Sequence, residues 1–196
     1  MSGIVICEKP DEMSYGLIAD VIAKAHSDNR KNNISVSTSD ISPAEIQQRI
    51  GSDGKIFVAL DGDKPVGTLC WHMVKCAKWY TKNCKDGMVP EYTLASVLPE
   101  YKGQHILSDL TDALFGKLQE EGFECVKLEA SEINRHAIEI YKHFGFVTVD
   151  YKHYGGYDHN SIVMIKWFGK MPYSTFKCKV QFAKRKIAVK FRNARH

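Results

Sequence analysis

The stretch V-L-P-E-Y-K-G-Q-H-I-L, residues 97–107, decides how the fold of this chain is interpreted. It joins the end of a strand-like apolar run to residues 105–121, whose apolar spacing is typical of an amphipathic helix. A loop that turns directly into a helix presents unpaired backbone N–H groups and the positive end of the helix dipole, which suit a phosphate group. The loop contains a single glycine, Gly103, so by itself it leaves open whether it binds phosphate or is an ordinary connection.

Outward from this loop, the apolar periodicity predicts alternating groups of strands and helices in one α/β (α+β) domain. A capping box at residues 42–45 and turn residues between the second and third strands support the assignment. This order implies a mixed, mostly antiparallel central sheet flanked by helices, with a parallel step around the helix at 105–121. The predicted strands are 4–9, 55–60, 66–74, 91–98, 125–130, 146–154 and 161–168, and the predicted helices are 14–28, 43–50, 105–121 and 134–144.

Two motifs in this order resemble the GNAT superfamily of acyl-CoA-dependent N-acetyltransferases. The family pattern V-x-P-x-[YF]-[RQ]-G-x-G-[IL]-G/A is similar to residues 97–107, where His105 and Leu107 replace glycines. A second family pattern, N-x-x-A-x-x-x-Y-x-x-x-G-F, is matched by residues 134–146. The resemblance covers residues 3–168 and implies a GNAT-like fold for that part of the chain.

The resemblance implies acetyl-CoA as the co-substrate, with its pyrophosphate at the loop. Independently of the resemblance, backbone N–H groups, the cation of Lys102 and the hydroxyl of Ser108 would hold the phosphates. Leu107 also fits the apolar stripe of the helix, which is its simpler explanation, and Asn134 is also a plain N-cap. The expected cofactor-binding residues are Val97, Leu98, Lys102, Gly103, Gln104, His105, Ile106, Leu107, Ser108, Asn134 and Tyr141.

Acetyl transfer to an amine requires a base for the amine, a donor for the oxyanion and an acid for the thiolate. The resemblance implies that the backbone N–H near Val97 holds the carbonyl and that Tyr141 is the acid; a core aromatic is the alternative for Tyr141. Glu91 is the candidate base, because along a regular strand it shares a face with Val97. A solvated carboxylate is the alternative for Glu91, and His72, His105 or ordered water could serve as the base instead.

The acceptor amine should bind among the polar, aromatic loops at 27–42, 76–88 and 153–161, although surface loops often have this composition. Cys70, His72, Cys76 and Cys84 lack the paired C-x-x-C spacing of zinc sites, so we expect no metal. The absence of an N-terminal signal pattern and of a long apolar run indicates a cytoplasmic protein with no membrane partner. The candidate acceptor residues are Trp79, Tyr80, Tyr154, Tyr157, Asp158 and His159.

The C-terminal residues 169–196 carry six lysines and three arginines and no acidic residue, whereas the rest of the chain has a net charge of −5. The runs 176–182 and 187–192 alternate apolar and polar residues, which predicts a basic β-hairpin extension beyond a 1–168 acyltransferase domain. Its apolar face should pack on the body or on a second subunit, giving a homodimer, and binding of nucleic acid is the less favoured alternative.

These observations predict an N-acetyltransferase that moves an acetyl group from acetyl-CoA to a primary amine of a small molecule or a protein. The alternative is a catalytically weak relative that uses the same fold to bind CoA or a polyanion.

Overall fold

The computed structural model describes residues 3–27, 40–75, 87–154 and 159–193, which form a mixed α/β fold of mostly antiparallel strands flanked by helices. This confirms the predicted fold class. None of the helices in these ranges is long and apolar enough to cross a bilayer. The strands are β1 (Val5–Glu8), β2 (Lys55–Asp61), β3 (Lys64–Lys75), β4 (Met88–Val97), β5 (Cys125–Ser131), β6 (Val147–His153) and β7 (Asn160–Trp167), and the helices are α1 (Tyr15–Ala25), α2 (Pro43–Ile50), α3 (Ile106–Glu120), α4 (Arg135–His143) and α5 (Thr175–Asn193).

The chain forms two compact units, of which the first comprises Met1–Val74 and Pro90–Gly122. Its strands follow the order β1-β2-β3-β4, and the β1–β2 and β2–β3 pairs are antiparallel. Local signals set its helices as predicted: the side chain of Ser14 caps α1, and Ser42 with Glu45 forms the complete capping box of α2. Apolar residues of α1 and α2 pack with β2, β3 and β4 in one buried cluster that includes Ile18, Ile46, Val58, Cys70 and Leu94.

Helix α3 lies on the opposite face of the first unit's strands. Cys70 of β3 belongs to the cluster under α1 and α2, whereas Gly67, an odd number of residues earlier, faces α3. A Cβ atom at Gly67 would lie 3.1 Å from Cγ2 of Ile106 and 3.2 Å from Cδ1 of Leu110. The missing side chain of Gly67 therefore lets the first turn of α3 lie directly on β3, which fixes the position of the loop before it.

The second unit comprises Lys75–Val89 and Phe123–His196. Its strands follow the order β5-β7-β6, and both pairs are antiparallel. Helix α4 begins after Asn134, whose side-chain oxygen accepts a hydrogen bond from the N–H of Ala137, and Gly145, at φ +85°, follows its last turn.

The predicted C-terminal hairpin is wrong, because residues 175–193 form the single helix α5, which packs on β6. Apolar residues at alternate positions, such as Phe176, Cys178, Val180 and Phe182, also satisfy the i, i+4 spacing of a helix with two apolar stripes. No glycine, proline, asparagine or aspartate separates the two runs, and the connecting A-K-R-K consists of helix-favouring residues. The division of the chain at residues 168 and 169 stays a prediction.

We predict that Gly67→Ala lowers the free energy of unfolding by about 1–3 kcal/mol, because the new methyl group crowds Ile106 and Leu110. The measurement is urea-induced unfolding followed by circular dichroism. Gly116→Ala in the middle of α3 is the matched control, since a Cβ atom there meets nothing within 4 Å. It should instead stabilise the helix by about 0.5–1 kcal/mol, and equal effects of the two changes would refute the role given to Gly67.

Candidate active site

The loop before α3 contains two residues with a left-handed backbone. Gly103 has a φ of +80°, and His105, the residue that precedes the first turn of α3, has a φ of +61°. A left-handed backbone costs a residue with a Cβ atom about 1 kcal/mol, and the family pattern has glycine at this position. His105 thus adopts the conformation that glycine normally supplies, and its side chain makes no cap to α3. The N–H groups at the start of α3, with no intrahelical partner, remain directed out of the helix end.

Contacts with the β2–β3 turn hold this loop in place. The hydroxyl of Tyr101, in a short 3-10 turn (Pro99–Tyr101), donates a 2.8 Å hydrogen bond to Oδ2 of Asp61, and Lys64 lies over the Tyr101 ring. This hydrogen bond raises the pKa of Tyr101, so the hydroxyl keeps its proton. Lys102, Gly103 and Gln104 are exposed, and a Cβ atom at Gly103 would meet nothing within 4 Å, so the loop is open to a phosphate group.

The side chains of β4 change faces at Leu94, whose backbone is left-handed, and we call this feature the Leu94 bulge. Leu94 has a φ of +55° and packs under α1 and α2, whereas the hydroxyl of Tyr92, two residues earlier, lies 3.1 Å from Oγ1 of Thr111 on α3. Residues two apart in a regular strand share a face, so the left-handed residue changes the alternation between Tyr92 and Leu94.

The bulge corrects the expectation that Glu91 and Val97 share a face. Glu91 lies beside His72, which shares the α1–α2 face with Cys70. Ser96 also faces α1, so Val97 faces the other way.

The backbone N–H of Val97 is free of β3, because the next residue makes the bond to that strand. The N–H of Leu98 donates to the carbonyl oxygen of Val66 at 2.9 Å. The N–H of Val97 therefore points away from β3, as a donor to a bound carbonyl would have to.

Glu91 and His72, two of the candidate bases, are close neighbours in the structure. Oε2 of Glu91 lies 3.3 Å from Nε2 of His72, and each side chain is less than one fifth exposed. The two atoms do not have the alignment of a hydrogen bond. The pair is an imidazole and a carboxylate in contact, an arrangement that can accept and pass on a proton. His105, the third candidate, is exposed at the start of α3.

His26 makes a contact that the sequence interpretation missed. It follows the last turn of α1, and its Nε2 lies 3.1 Å from Oγ of the buried Ser96. Burial and, less strongly, the charge of Lys102 lower the pKa of His26, which keeps the ring neutral at neutral pH. A histidine at the end of an amphipathic helix carries no sequence signal for this contact, because Ser96 is 70 residues away.

The second unit contains the other two predicted site residues. The side-chain oxygen of Asn134 is used in capping α4, and its NH2 group adds two donors that the cap does not use. Tyr141 on α4 is partly exposed, yet the protein atoms around its hydroxyl raise its pKa to about 12. Tyr141 also meets Phe146 edge-on, with 6.1 Å between the ring centroids. The tyrosine therefore stays protonated at neutral pH and is a hydrogen-bond donor.

A charged cluster around the single carboxylate of Glu129, on β5, is a second feature that the sequence interpretation missed. Oε1 of Glu129 lies 2.6 Å from the Nζ atoms of both Lys127 and Lys152, and its Oε2 accepts a 2.7 Å hydrogen bond from Tyr154. Burial raises the pKa of Glu129, but the two ammonium groups outweigh it and leave the pKa lowered. The signal available in the sequence was the polar pair Lys127 and Glu129 on one face of an otherwise apolar strand.

The remaining predictions fall largely outside the described residues. These include the acceptor candidates Trp79, Tyr80, Tyr157 and Asp158 and the cysteines at positions 76 and 84. In the part of the chain that the structure describes, no group of three or more His, Cys, Asp or Glu side chains is placed to hold a metal ion.

Residues 23–146 match the family model described as the acetyltransferase (GNAT) family. The chain belongs to the GNAT acetyltransferase family. The matched range contains the loop, β4, Asn134 and Tyr141. A comparison with curated proteins found no match.

Solved GNAT structures share the fold at low sequence identity. A putative GNAT acetyltransferase from Desulfovibrio desulfuricans is 11% identical with a TM-score of 0.65, over 85% of this chain and all of that one. The ribosomal-protein-S18-alanine N-acetyltransferase of Escherichia coli is 16% identical, with a TM-score of 0.64 over 88% of this chain and 100% of its own. A GNAT acetyltransferase from Elizabethkingia anophelis with acetyl-CoA bound is 12% identical, with a TM-score of 0.61 over 86% of this chain and 100% of its own.

We predict that His105→Gly keeps or tightens CoA binding, because glycine adopts the left-handed backbone without the cost that histidine bears. Calorimetric titration with CoA should show a dissociation constant equal to or up to about fivefold below that of the parent chain. Gln104→Gly, at an exposed neighbour whose φ is not positive, is the matched control and should weaken binding slightly through added flexibility. Binding more than about tenfold weaker in His105→Gly would show that the imidazole itself contacts the ligand.

We predict that His26 makes the fold less stable in mild acid. The folded-state pKa lies below the ordinary value of 6.5, so as the pH falls through 6.5 the unfolded chain takes up the proton first. His26→Gln should therefore lose less unfolding free energy than the parent between about pH 7.5 and about pH 5. The exposed His143→Gln is the control, and a parent-like pH profile in His26→Gln would contradict the assignment.

Proposed function

We propose that this GNAT protein transfers an acetyl group from acetyl-CoA to a primary amine by direct attack of the amine. The observation that carries the proposal is the loop at residues 102–108. It keeps the left-handed backbone of an anion-binding loop at Gly103 and His105, although one family glycine has been replaced by histidine. Because packing of α3 on β3 holds the start of this helix in place, its N–H donors stay available to a pyrophosphate despite the histidine.

In this proposal, backbone donors and one mobile cation bind the pyrophosphate. The N–H groups of the loop and of the first turn of α3 point at the phosphates, Lys102 supplies a positive charge, and Ser108 adds a hydroxyl. Asp109 in the same turn opposes this charge, so most of the attraction must come from the N–H groups. The proposed binding residues are Val97, Leu98, Lys102, Gly103, Gln104, His105, Ile106, Leu107, Ser108, Asn134 and Tyr141.

The acyl group is proposed to lie along the end of β4. The N–H of Val97, which points away from β3, would donate to the thioester carbonyl and stabilise the oxyanion. Tyr141 would donate a hydrogen bond to the leaving sulfur. Full transfer of its proton to a thiolate of pKa about 8.5 is unfavourable for a phenol of pKa about 12, so hydrogen bonding is its expected contribution.

Glu91 is the proposed base, and His72 is its partner. The bulge directs Glu91 away from the face of Val97, so the amine's proton would reach the carboxylate through water. The imidazole beside it can take up part of the positive charge. Glu129 is the competing carboxylate, but the two ammonium groups that lower its pKa also lower its basicity.

The acceptor is proposed to be a small-molecule or protein amine, with residues 1–168 as the catalytic domain and 169–196 as an extension. Similarity to the S18-alanine N-acetyltransferase supports including peptides with a free N-terminus among the acceptors tested.

The test is steady-state acetylation of a panel of amines and peptides by the full chain and its variants. We predict that Tyr141→Phe and Glu91→Gln each lower kcat by about 10²-fold. Calorimetry should show unchanged acetyl-CoA affinity for Glu91→Gln and a loss of at most about fivefold for Tyr141→Phe, which removes one hydrogen bond to the sulfur. Glu129→Gln is the matched carboxylate control and should keep parent-like turnover.

Two outcomes would contradict the proposal. Tight acetyl-CoA binding with no turnover on any acceptor would favour the alternative, a CoA-binding module. Turnover that survives Glu91→Gln and is lost in Glu129→Gln would move the base to the second unit.

A further inference from the structure

Helix α5 has two apolar faces, of which one packs inward. Cys178 is fully buried, Phe182 meets the ring of Tyr151 edge-on at 5.8 Å, and Nε of Arg185 lies 3.5 Å from Oδ1 of Asp150. These contacts with β6 fix the rotation of the helix about its own axis.

The opposite face of α5 carries an apolar stripe, which we call the outer stripe. Its residues follow the i, i+4, i+7, i+11, i+15 spacing of one helical face. Phe176 is 75% exposed, Ile187 56% and Phe191 67%, and the two phenylalanines are the most exposed large apolar side chains among the described residues. The outer stripe consists of Phe176, Val180, Ala183, Ile187 and Phe191.

Lysines flank the outer stripe on both sides. At 100° per residue, Lys177 and Lys184 lie along one edge, and Lys179 and Lys190 lie along the other. All four are exposed, and the whole stretch 169–196 contains no acidic residue to neutralise them. A partner for this face must therefore offer an apolar surface bordered by negative charge.

We propose that the outer stripe of α5 docks on an anionic phospholipid membrane surface. The helix would lie in the plane of the interface, with its phenylalanines among the acyl chains and its lysines at the lipid phosphates. This revises the expectation of no membrane partner, since a helix that lies on a bilayer need not cross it.

Charge distinguishes this partner from a second copy of the chain. Two outer stripes packed together would place lysine rows beside lysine rows, with no acid on either helix to offset the repulsion. A nucleic-acid duplex would satisfy the lysines but offers its phosphates, not an apolar surface, to the phenylalanines.

The test is co-sedimentation of the full chain with phosphatidylcholine vesicles that contain or lack phosphatidylserine. We expect binding only with phosphatidylserine, and weaker binding as salt rises. The Phe176→Ser, Phe191→Ser double variant and the Lys177→Gln, Lys184→Gln double variant should each bind about tenfold more weakly. All four side chains are exposed, so circular dichroism and thermal unfolding should match the parent.

Val5→Ser is the matched control, because Val5 is 57% exposed but lies on β1, and its vesicle binding should equal that of the parent. Parent-like binding by the phenylalanine variant, or equal loss in Val5→Ser, would overturn the proposal. So would a dimer in sedimentation equilibrium that the phenylalanine variant abolishes without any lipid binding. Tighter binding to single-stranded RNA than to vesicles would identify a nucleic-acid surface instead.

Discussion

The close approach of α3 to β3 at Gly67 is the constraint on which the first unit's site depends. Because Gly67 has no side chain, Ile106 and Leu110 reach the strand, and the first turn of α3 is held against it. The loop before that turn can then be anchored at its other end, where Tyr101 donates to Asp61 and Leu98 donates to Val66. The backbone donors of the loop are thus fixed by packing and not by the glycine content of the loop, which explains how the loop tolerates a histidine.

The bulge at Leu94 decides which side chains of β4 meet the histidines of the first unit. It places Tyr92 under α3 and Leu94 under α1 and α2, so the side chains of β4 are divided between two faces that a regular strand would have assigned differently. Glu91 consequently meets His72, and Ser96 meets His26. The proposed contacts with acetyl-CoA are largely backbone N–H groups, whereas the proposed proton acceptors are side chains. A change in the direction of side chains along β4 therefore moves the proton acceptors and leaves the backbone N–H groups in place.

The fold was predictable to the extent that its signals were local. The caps at Ser14, Ser42 and Asn134 and the spacing of apolar residues in α3 depend on residues within one or two helical turns, and the structure confirms them. The C-terminal helix was mistaken for a hairpin because its two apolar stripes produce alternation over short runs. The contacts of His26 with Ser96 and of Glu129 with Lys152 could not be predicted, because each joins residues that are far apart in the chain.

The sequence by itself determined the order of elements up to β7, the helix caps and the place of the loop between β4 and α3, because each depends on a short run of residues. It also carried the two motifs that indicate the GNAT family. Only the tertiary structure decided that His105 takes a left-handed backbone, that β4 changes faces at Leu94 and that residues 175–193 are a helix. The first two features depend on how neighbouring elements pack, which no short run of residues specifies. The third agrees with local helix propensity, but alternating apolar residues also fit a hairpin, and the packing of one apolar stripe on β6 distinguishes the two.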